Sequence, residues 1–375
     1  MYKTFAIIDI ILASHSFLAA FLLFAKRSNQ KATLYLGIIN LLMGVFFLIA
    51  YLSLDSLSSN HAIWVYLVIP LVYFMTPLCY LYTFRLSRTE TRNDGYHFIP
   101  AFVATVYVLI HWVHRGRYAA GPMENIFSLH YISFDLYLLL QTGLLMLALY
   151  LLKMFLIIRE YNHEIRHVYS SIEKTNLRWL QIHLGIGTIG CSIFFISNIL
   201  QYFLPAAFAP VLNRIEYAGQ AFCIVFLFSI VYFTFLQQDI GTRASSPVYA
   251  RQRLGEAREK AYVQRLLSCM EEEKPYLDPE LTVQDLSDIL EIPAAHLSMI
   301  LNIHLKQNFY QFINTYRVRY AAELLTEERM RYENILSIAL EAGFNSKSSF
   351  NTYFKKIQHM TPREYRQKNR SAQGR

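Results

Sequence analysis

Seven stretches of this sequence are each apolar over about the 20 residues that a helix needs to cross the hydrocarbon core of a bilayer. No other feature narrows the fold so far. They run roughly Thr4–Ala25, Ala32–Leu54, Ala62–Phe84, Tyr96–Val113, Ser133–Ile158, Trp179–Leu204 and Ile215–Phe235. In hydrocarbon, backbone amides and carbonyls must be satisfied within the segment, so each stretch is predicted to be a helix. The first has the alternative of a signal peptide, but it lacks a basic n-region and a convincing small-residue cleavage site. The fourth is the shortest and carries Pro100 and His111. Composition agrees, since 54% of the 375 residues are hydrophobic and only 17% are charged, which excludes an ordinary water-soluble chain.

Orientation follows from the basic residues, which cytoplasmic loops retain. Lys26, Arg27 and Lys31 separate spans one and two, and Arg85, Arg88 and Arg92 separate three and four. Arg159, Arg166, Lys174 and Arg178 separate five and six. The alternate connections are poorer, with none from Asp55 to His61, Arg115 and Arg117 in the fourth, and Arg214 in the sixth. The bias predicts an N-terminus outside and a C-terminal tail in the cytoplasm.

Cys79, Cys191 and Cys223 fall in spans and Cys269 in the tail, a distribution that makes no disulfide framework. The formal charge of +8 fits either nucleic acid or anionic lipid as a partner.

After Thr242 charge becomes continuous, which divides the chain into a membrane domain over 1–236, a linker and juxtamembrane helix over 237–273, and a soluble domain over 274–375. The linker helix carries an apolar stripe at Ala261, Leu266, Leu267 and Met270, suited to packing onto the tail or to self-association as a homodimer. In the tail, Thr282 and Asp285 make a capping pair for a helix from Val283 to Leu290. Ile292-Pro293 breaks it, and a second helix runs from about Ala294 to Leu305. Asn308 and Gln311 then cap a long amphipathic helix. The arrangement repeats with Ile335 to Ala342, a turn at Gly343-Phe344-Asn345, and a helix from Ser346 to about Ile357. Thr361-Pro362-Arg363-Glu364 opens a last helix. Two short helix pairs, each ending in an exposed second helix, are the helix-turn-helix device. The predicted fold class is therefore all-α: a polytopic bundle of about seven transmembrane helices followed by a tandem helix-turn-helix domain.

The last hundred residues resemble the AraC/XylS family of bacterial transcription regulators. The resemblance rests on Leu281-Thr-Val-Gln-Asp-Leu286, His296-Leu-Ser298, Asn308-Phe-Tyr-Gln-Phe-Ile-Asn314 with Arg317 and Ala321, and Ile338-Ala-Leu-Glu-Ala-Gly-Phe344. Its strongest part is Phe350-x-x-x-Phe354-Lys-Lys356 followed by Met360-Thr-Pro362 and Tyr365-Arg366. It implies that the two second helices read adjacent major-groove segments of double-stranded promoter DNA. Carried over position by position, the readers are Ala295, His296, Ser298, Met299 and Asn302 in the first unit, and Asn345, Lys347, Ser348, Asn351 and Thr352 in the second. Asn pairs bidentately with adenine, Ser and Lys bond base edges or phosphates, and Ala or Met meets a thymine methyl. Lys355, Lys356, Lys306 and Arg317 suit phosphates or helix packing better than readout. The sequence departs from the family at Met299 and Thr352, where a basic residue is common, and at Lys306 and His359, where glycine often follows the recognition helix. A left-handed turn without glycine costs roughly 1 kcal/mol.

Two motifs suggest other chemistry. His163-Glu-Ile-Arg-His167 matches the zinc-protease pattern in which two His bind metal and Glu activates water. It lies in a charged connection without a third ligand, so a juxtamembrane helix face is preferred and no metal or cofactor is assigned. Gly185-Ile-Gly-Thr-Ile-Gly190 matches the dinucleotide fingerprint but sits inside an apolar span, where small residues serve close helix packing. Within the spans Asp9, His15, Asn40, His111, Gln141, His183, Asn198, Gln201, Glu216 and Gln220 are costly unless they face partners or water. Asp9, Gln201, Glu216 and Gln220 fall in the outer half, suited to an outward-facing pocket or to joining helices.

Taken together, the expectation is a regulator without catalytic residues, held in a bacterial inner membrane, responding to a small-molecule or envelope stimulus. Its rivals are a metalloprotease using His163, Glu164 and His167, and a receptor whose tail binds protein.

Overall fold

The computed structural model describes residues 2–25, 31–54, 62–87, 95–115, 133–173, 175–203 and 255–373, with scattered positions between 208 and 232. The predicted seventh span, the start of the linker and Cys223 lie almost wholly outside these residues. The described residues are mostly helical, with one isolated antiparallel bridge between Tyr169 and Thr282. They divide into two compact units, 1–159 with 177–239, and 160–176 with 240–375.

Among the described residues the first unit holds six long apolar helices: α1 (Tyr2–Ala25), α2 (Lys31–Leu54), α3 (Ala62–Ser87), α4 (Ile99–Arg115), α5 (Phe134–Glu164, which ends in the second unit) and α6 (Arg178–Phe203). Each is long and apolar enough to cross a membrane, α4 together with the 3-10 turn Gly95–Phe98 that precedes it. Helices α1 and α2 pack through Leu12, Ala13 and Phe47. Gly44 permits their approach, because a Cβ there would stand 2.7 Å from the Phe17 ring. Tyr66, Ile69 and Tyr73 of α3 pack with Ala101, Ala104 and Val108 of α4 and Leu136 of α5.

Polar and apolar side chains here are arranged against the rule for water. Asp9, Asn40, His111 and Gln141 are buried, while Phe21, Leu34, Leu67, Phe102, Val103, Leu149 and Ile189 are exposed. His111 is held by Tyr66 at 3.0 Å and Ser133 at 3.1 Å, and lies 3.3 Å from the Asp135 carboxylate. Apolar surface this extensive is stable only when something other than water covers it. The glycines from Gly185 to Gly190 lie within α6, with no strand before them among the described residues, so the context of a dinucleotide fingerprint is lacking.

The second unit contains α7 (Glu256–Glu272), α8 (Val283–Leu290), α9 (Ala294–Met299), α10 (Phe309–Thr326), α11 (Ile335–Glu341), α12 (Lys347–Gln358) and α13 (Pro362–Gln373). Helix α10 spans two cores. Phe309, Phe312, Ile313 and Tyr316 join α7, α8 and α9 in one, and Val318, Ala321, Leu324 and Leu325 join α11 and α12 in the other. Of the expected stripe on α7, Leu266 and Met270 are buried in the first core beside Cys269, Leu267 is half-buried and Ala261 is exposed. Leu266 and Met270 thus pack onto the tail.

The charged connection after α5 does more than join two helices. Residues 160–176 are built into the second unit, with Val168 buried in its first core. The Val283 amide donates to the Val168 carbonyl at 2.8 Å, and the Ser170 amide to the Leu281 carbonyl at 3.1 Å. The HEIRH run is divided by this change of course. His163 and Glu164 end α5, and Ile165–His167 form a 3-10 turn. The two imidazoles lie 5.2 Å apart, and no group of three or more metal-ligating side chains assembles among the described residues.

Candidate nucleic-acid interface

The first helix pair is fixed by its caps. Thr282 and Asp285 form a reciprocal capping box, with the Asp285 amide 3.2 Å from the Thr282 hydroxyl and the Thr282 amide 2.8 Å from the Asp285 carboxylate. Val283, Leu286 and Leu290 form the buried face of α8. The chain then turns through Glu291, left-handed at φ 53°, and the Ser287 hydroxyl donates to the Ile292 carbonyl at 2.6 Å. Pro293 starts the second helix, which crosses the first at 111°. That helix is α only to Met299 and continues as a wide π turn over Ile300–His304, a change from the single helix expected to Leu305.

The second pair is more regular. The Asn334 side chain caps α11 by accepting from the Ser337 amide at 2.8 Å, and Ser346 caps α12 by accepting from the Ser349 amide at 3.2 Å. Between them Gly343 has φ 83°, and a Cβ there would stand 2.5 Å from the Tyr276 carbonyl oxygen. Only glycine meets both demands. Phe350 and Phe354, one helical turn apart, bury α12 on the second core, leaving Lys347, Ser348, Thr352, Lys355 and Lys356 exposed and Asn351 half-exposed.

The candidate readers of the first pair are less accessible. Ala295, His296 and Asn302 are half-buried, and Asn302 donates to the Ser298 carbonyl at 2.7 Å. Ser298 and Met299 are 3% and 6% exposed, so reading by them requires their face to be uncovered. Tyr262 and Glu259 of α7 lie beside this helix, with Tyr262 6.4 Å from the His296 ring and Glu259 3.1 Å from His304. In the second pair the Asn345 amide is already engaged, donating to the Ser171 hydroxyl at 2.9 Å, the Glu280 carboxylate at 3.1 Å and the Pro279 carbonyl at 3.2 Å.

Sequence reading left Arg317 between phosphate contact and helix packing; the structure assigns it to packing. The residue is 1% exposed on α10. Its guanidinium donates to the carbonyls of Tyr276 and Asp278 at 2.7 Å each, to the Ser170 carbonyl and hydroxyl at 3.0 Å each, and to the Asn314 side chain at 3.4 Å. Burial lowers its pKa to about 10, which leaves it charged at neutral pH. Its partners are mostly backbone dipoles, so the charge is satisfied without a directly bonded carboxylate. Ser170 lies 147 positions earlier in the chain, and no local pattern in the sequence could have named it.

The comparisons with known proteins agree with this geometry. Residues 286–368 match the family described as a helix-turn-helix domain. An uncharacterized HTH-type transcriptional regulator of Staphylococcus aureus (strain COL) is 37% identical over 87 residues, 23% of this chain and 11% of that protein. The melibiose operon regulatory protein of Escherichia coli (strain K12) is 30% identical over 105 residues, 28% of this chain and 33% of that protein. The chain thus spans between about a tenth and a third of the length of these relatives. No solved structure matches it. The C-terminal part of the chain is a helix-turn-helix domain of the AraC type.

Proposed function

We propose that this chain is a one-component transcription regulator held in a bacterial inner membrane, with its C-terminal domain reading promoter DNA in the cytoplasm. One observation carries the reading. The chain joins helices whose large apolar side chains point outward to a domain whose α12 presents Lys347, Ser348, Asn351, Thr352, Lys355 and Lys356 on a capped, well-packed helix. The first property calls for lipid and the second for a nucleic acid groove. The positive-inside bias supports the orientation that brings α12 to the chromosome.

Within this reading Asn351 is the leading base reader, and Lys355 and Lys356 neutralise phosphate. Ala295, His296 and Asn302 contribute from the first pair, joined by Ser298 and Met299 once uncovered, and Lys347, Ser348, Thr352 and Asn345 complete the second. The stimulus acts on the apolar helices by favouring one of their arrangements, and a coupling of about 1–3 kcal/mol is the ordinary scale for such a shift.

The test combines topology with binding. A reporter fused after Arg375 should be active in the cytoplasm, and the full-length protein should protect discrete segments of genomic DNA from cleavage. Periplasmic activity of the reporter would defeat the proposal. Absence of any protected DNA would favour a tail that binds protein.

A further inference from the structure

The contacts of residues 165–176 fall into a root and a tip. The root is part of the fold: Val168 and Ser170 pair through their backbones with Val283 and Leu281, Val168 is buried, and Ser170 is enclosed by Arg317 and Asn314. The tip does something different. The Ser171 hydroxyl accepts from Asn345, and the Glu173 carboxylate accepts from the hydroxyls of Ser171 and Ser349. Asn345 belongs to the turn of the second helix pair, and Ser349 lies in the first turn of α12.

A carboxylate at the first turn of a recognition helix occupies a chemically loaded place. The amides there and the helix dipole favour an anion, which in a DNA complex is a backbone phosphate. Glu173 supplies the same charge and the same acceptor oxygens from within the protein. It also repels a phosphate brought to the same turn, at a position water and salt screen only in part.

We propose that residues 171–173 form an intramolecular clasp on α12, in which Glu173 takes the place of a DNA phosphate, so that clasp and DNA exclude each other at this helix. This inference rests on the DNA-reading function proposed above. Because the root stays anchored, release needs only the tip to leave, at the cost of a few half-buried hydrogen bonds. The clasp is flanked in the chain by α5 and α6, two of the six helices long and apolar enough to span a membrane. The anchored root stands between α5 and the tip, so it is a shift of the α6 end, five positions beyond Glu173, that reaches the tip along the backbone. The route from stimulus to DNA reader then runs through this connection and does not require the segment before α7.

The test uses the full-length protein in lipid nanodiscs and a short random-sequence duplex as probe, with affinity read by fluorescence anisotropy. Glu173→Gln removes the charge, and Ser171→Ala removes the shared hydroxyl without altering charge. Each should tighten binding about five- to tenfold if the clasped state dominates in the resting protein. The uncharged change at Ser171 separates release of the tip from a simple gain in net charge. Unchanged or weaker binding in both variants would overturn the clasp while leaving DNA reading intact. Failure of the wild type and both variants to bind the duplex at low salt would overturn DNA reading itself, and the clasp with it.

Discussion

The two helix pairs of the C-terminal domain share a plan and differ in how they finish it. The first turns through Glu291 and Pro293, opens its second helix into a π turn at Ile300, and keeps Ser298 and Met299 buried. The second turns through Gly343, runs α12 as a regular helix over 12 residues, and exposes most of its polar side chains. The difference teaches that resemblance of sequence along both pairs does not imply equal readiness to read DNA. The second pair exposes more of the side chains proposed for readout, and it is also the one that residues 171–173 touch.

The largest test of that contrast is at Arg317, which bonds Tyr276, Asp278 and Ser170 and also lies over the Phe344 ring of the second pair at 5.9 Å. Arg317→Ala leaves the Tyr276 carbonyl without its donor, takes one of two donors from the Asp278 and Ser170 carbonyls, opens a cavity in the core, and should destabilise the domain by about 3–5 kcal/mol. Native-state hydrogen exchange should register the loss in α8 and α12 together; a loss confined to one pair would separate the halves. Arg317→Lys should rescue little, because one ammonium cannot replace the fork of donors.

Next in size are the turns. Gly343→Ala places a Cβ against the Tyr276 carbonyl at positive φ and should cost about 2–4 kcal/mol. Glu291→Gly, at the matching left-handed position of the first pair, should change stability by no more than about 1 kcal/mol. Equal costs, measured by thermal unfolding, would erase the difference drawn between the two turns.

Smaller effects concern readout. Asn351→Ala should reduce discrimination at one base position by about 1–3 kcal/mol, whereas Asn302→Ala, whose amide bonds its own helix, should cost less. Competition between specific and random duplexes measures both. Lys355→Ala should weaken binding to every sequence alike and lower the salt slope by about one counterion. The smallest change is expected at Lys306 and His359, left-handed at φ 53° and 57°, where substitution by glycine should stabilise the unit by at most about 1 kcal/mol.

Much of this organisation is legible in the sequence because it is local. Apolar runs longer than a bilayer crossing, the Thr282–Asp285 and Asn308–Gln311 boxes and the spacing of Phe350 and Phe354 each declare a helix by themselves. The left-handed backbone at Lys306 and His359 was legible as a departure from glycine. The π turn at Ile300 was not, since the residues there are ordinary helix formers and the wide turn arises from packing. Nor was the incorporation of residues 160–176, which depends on a backbone pairing of Val168 and Ser170 with Val283 and Leu281 across more than a hundred positions. Burial of Ser298 and Met299 escaped the sequence for the same reason: helix periodicity describes a face but not what lies over it.

The most direct measurement is selection of bound sequences from a random duplex pool by the full-length protein, repeated with Asn351→Ala. The account predicts a site with two preferred segments about one helical turn, roughly 10 base pairs, apart. It also predicts that the substitution relaxes one position in the segment read by α12 and leaves the other segment unchanged. A pool without enrichment, or a preference that Asn351→Ala does not alter at any position, would contradict it.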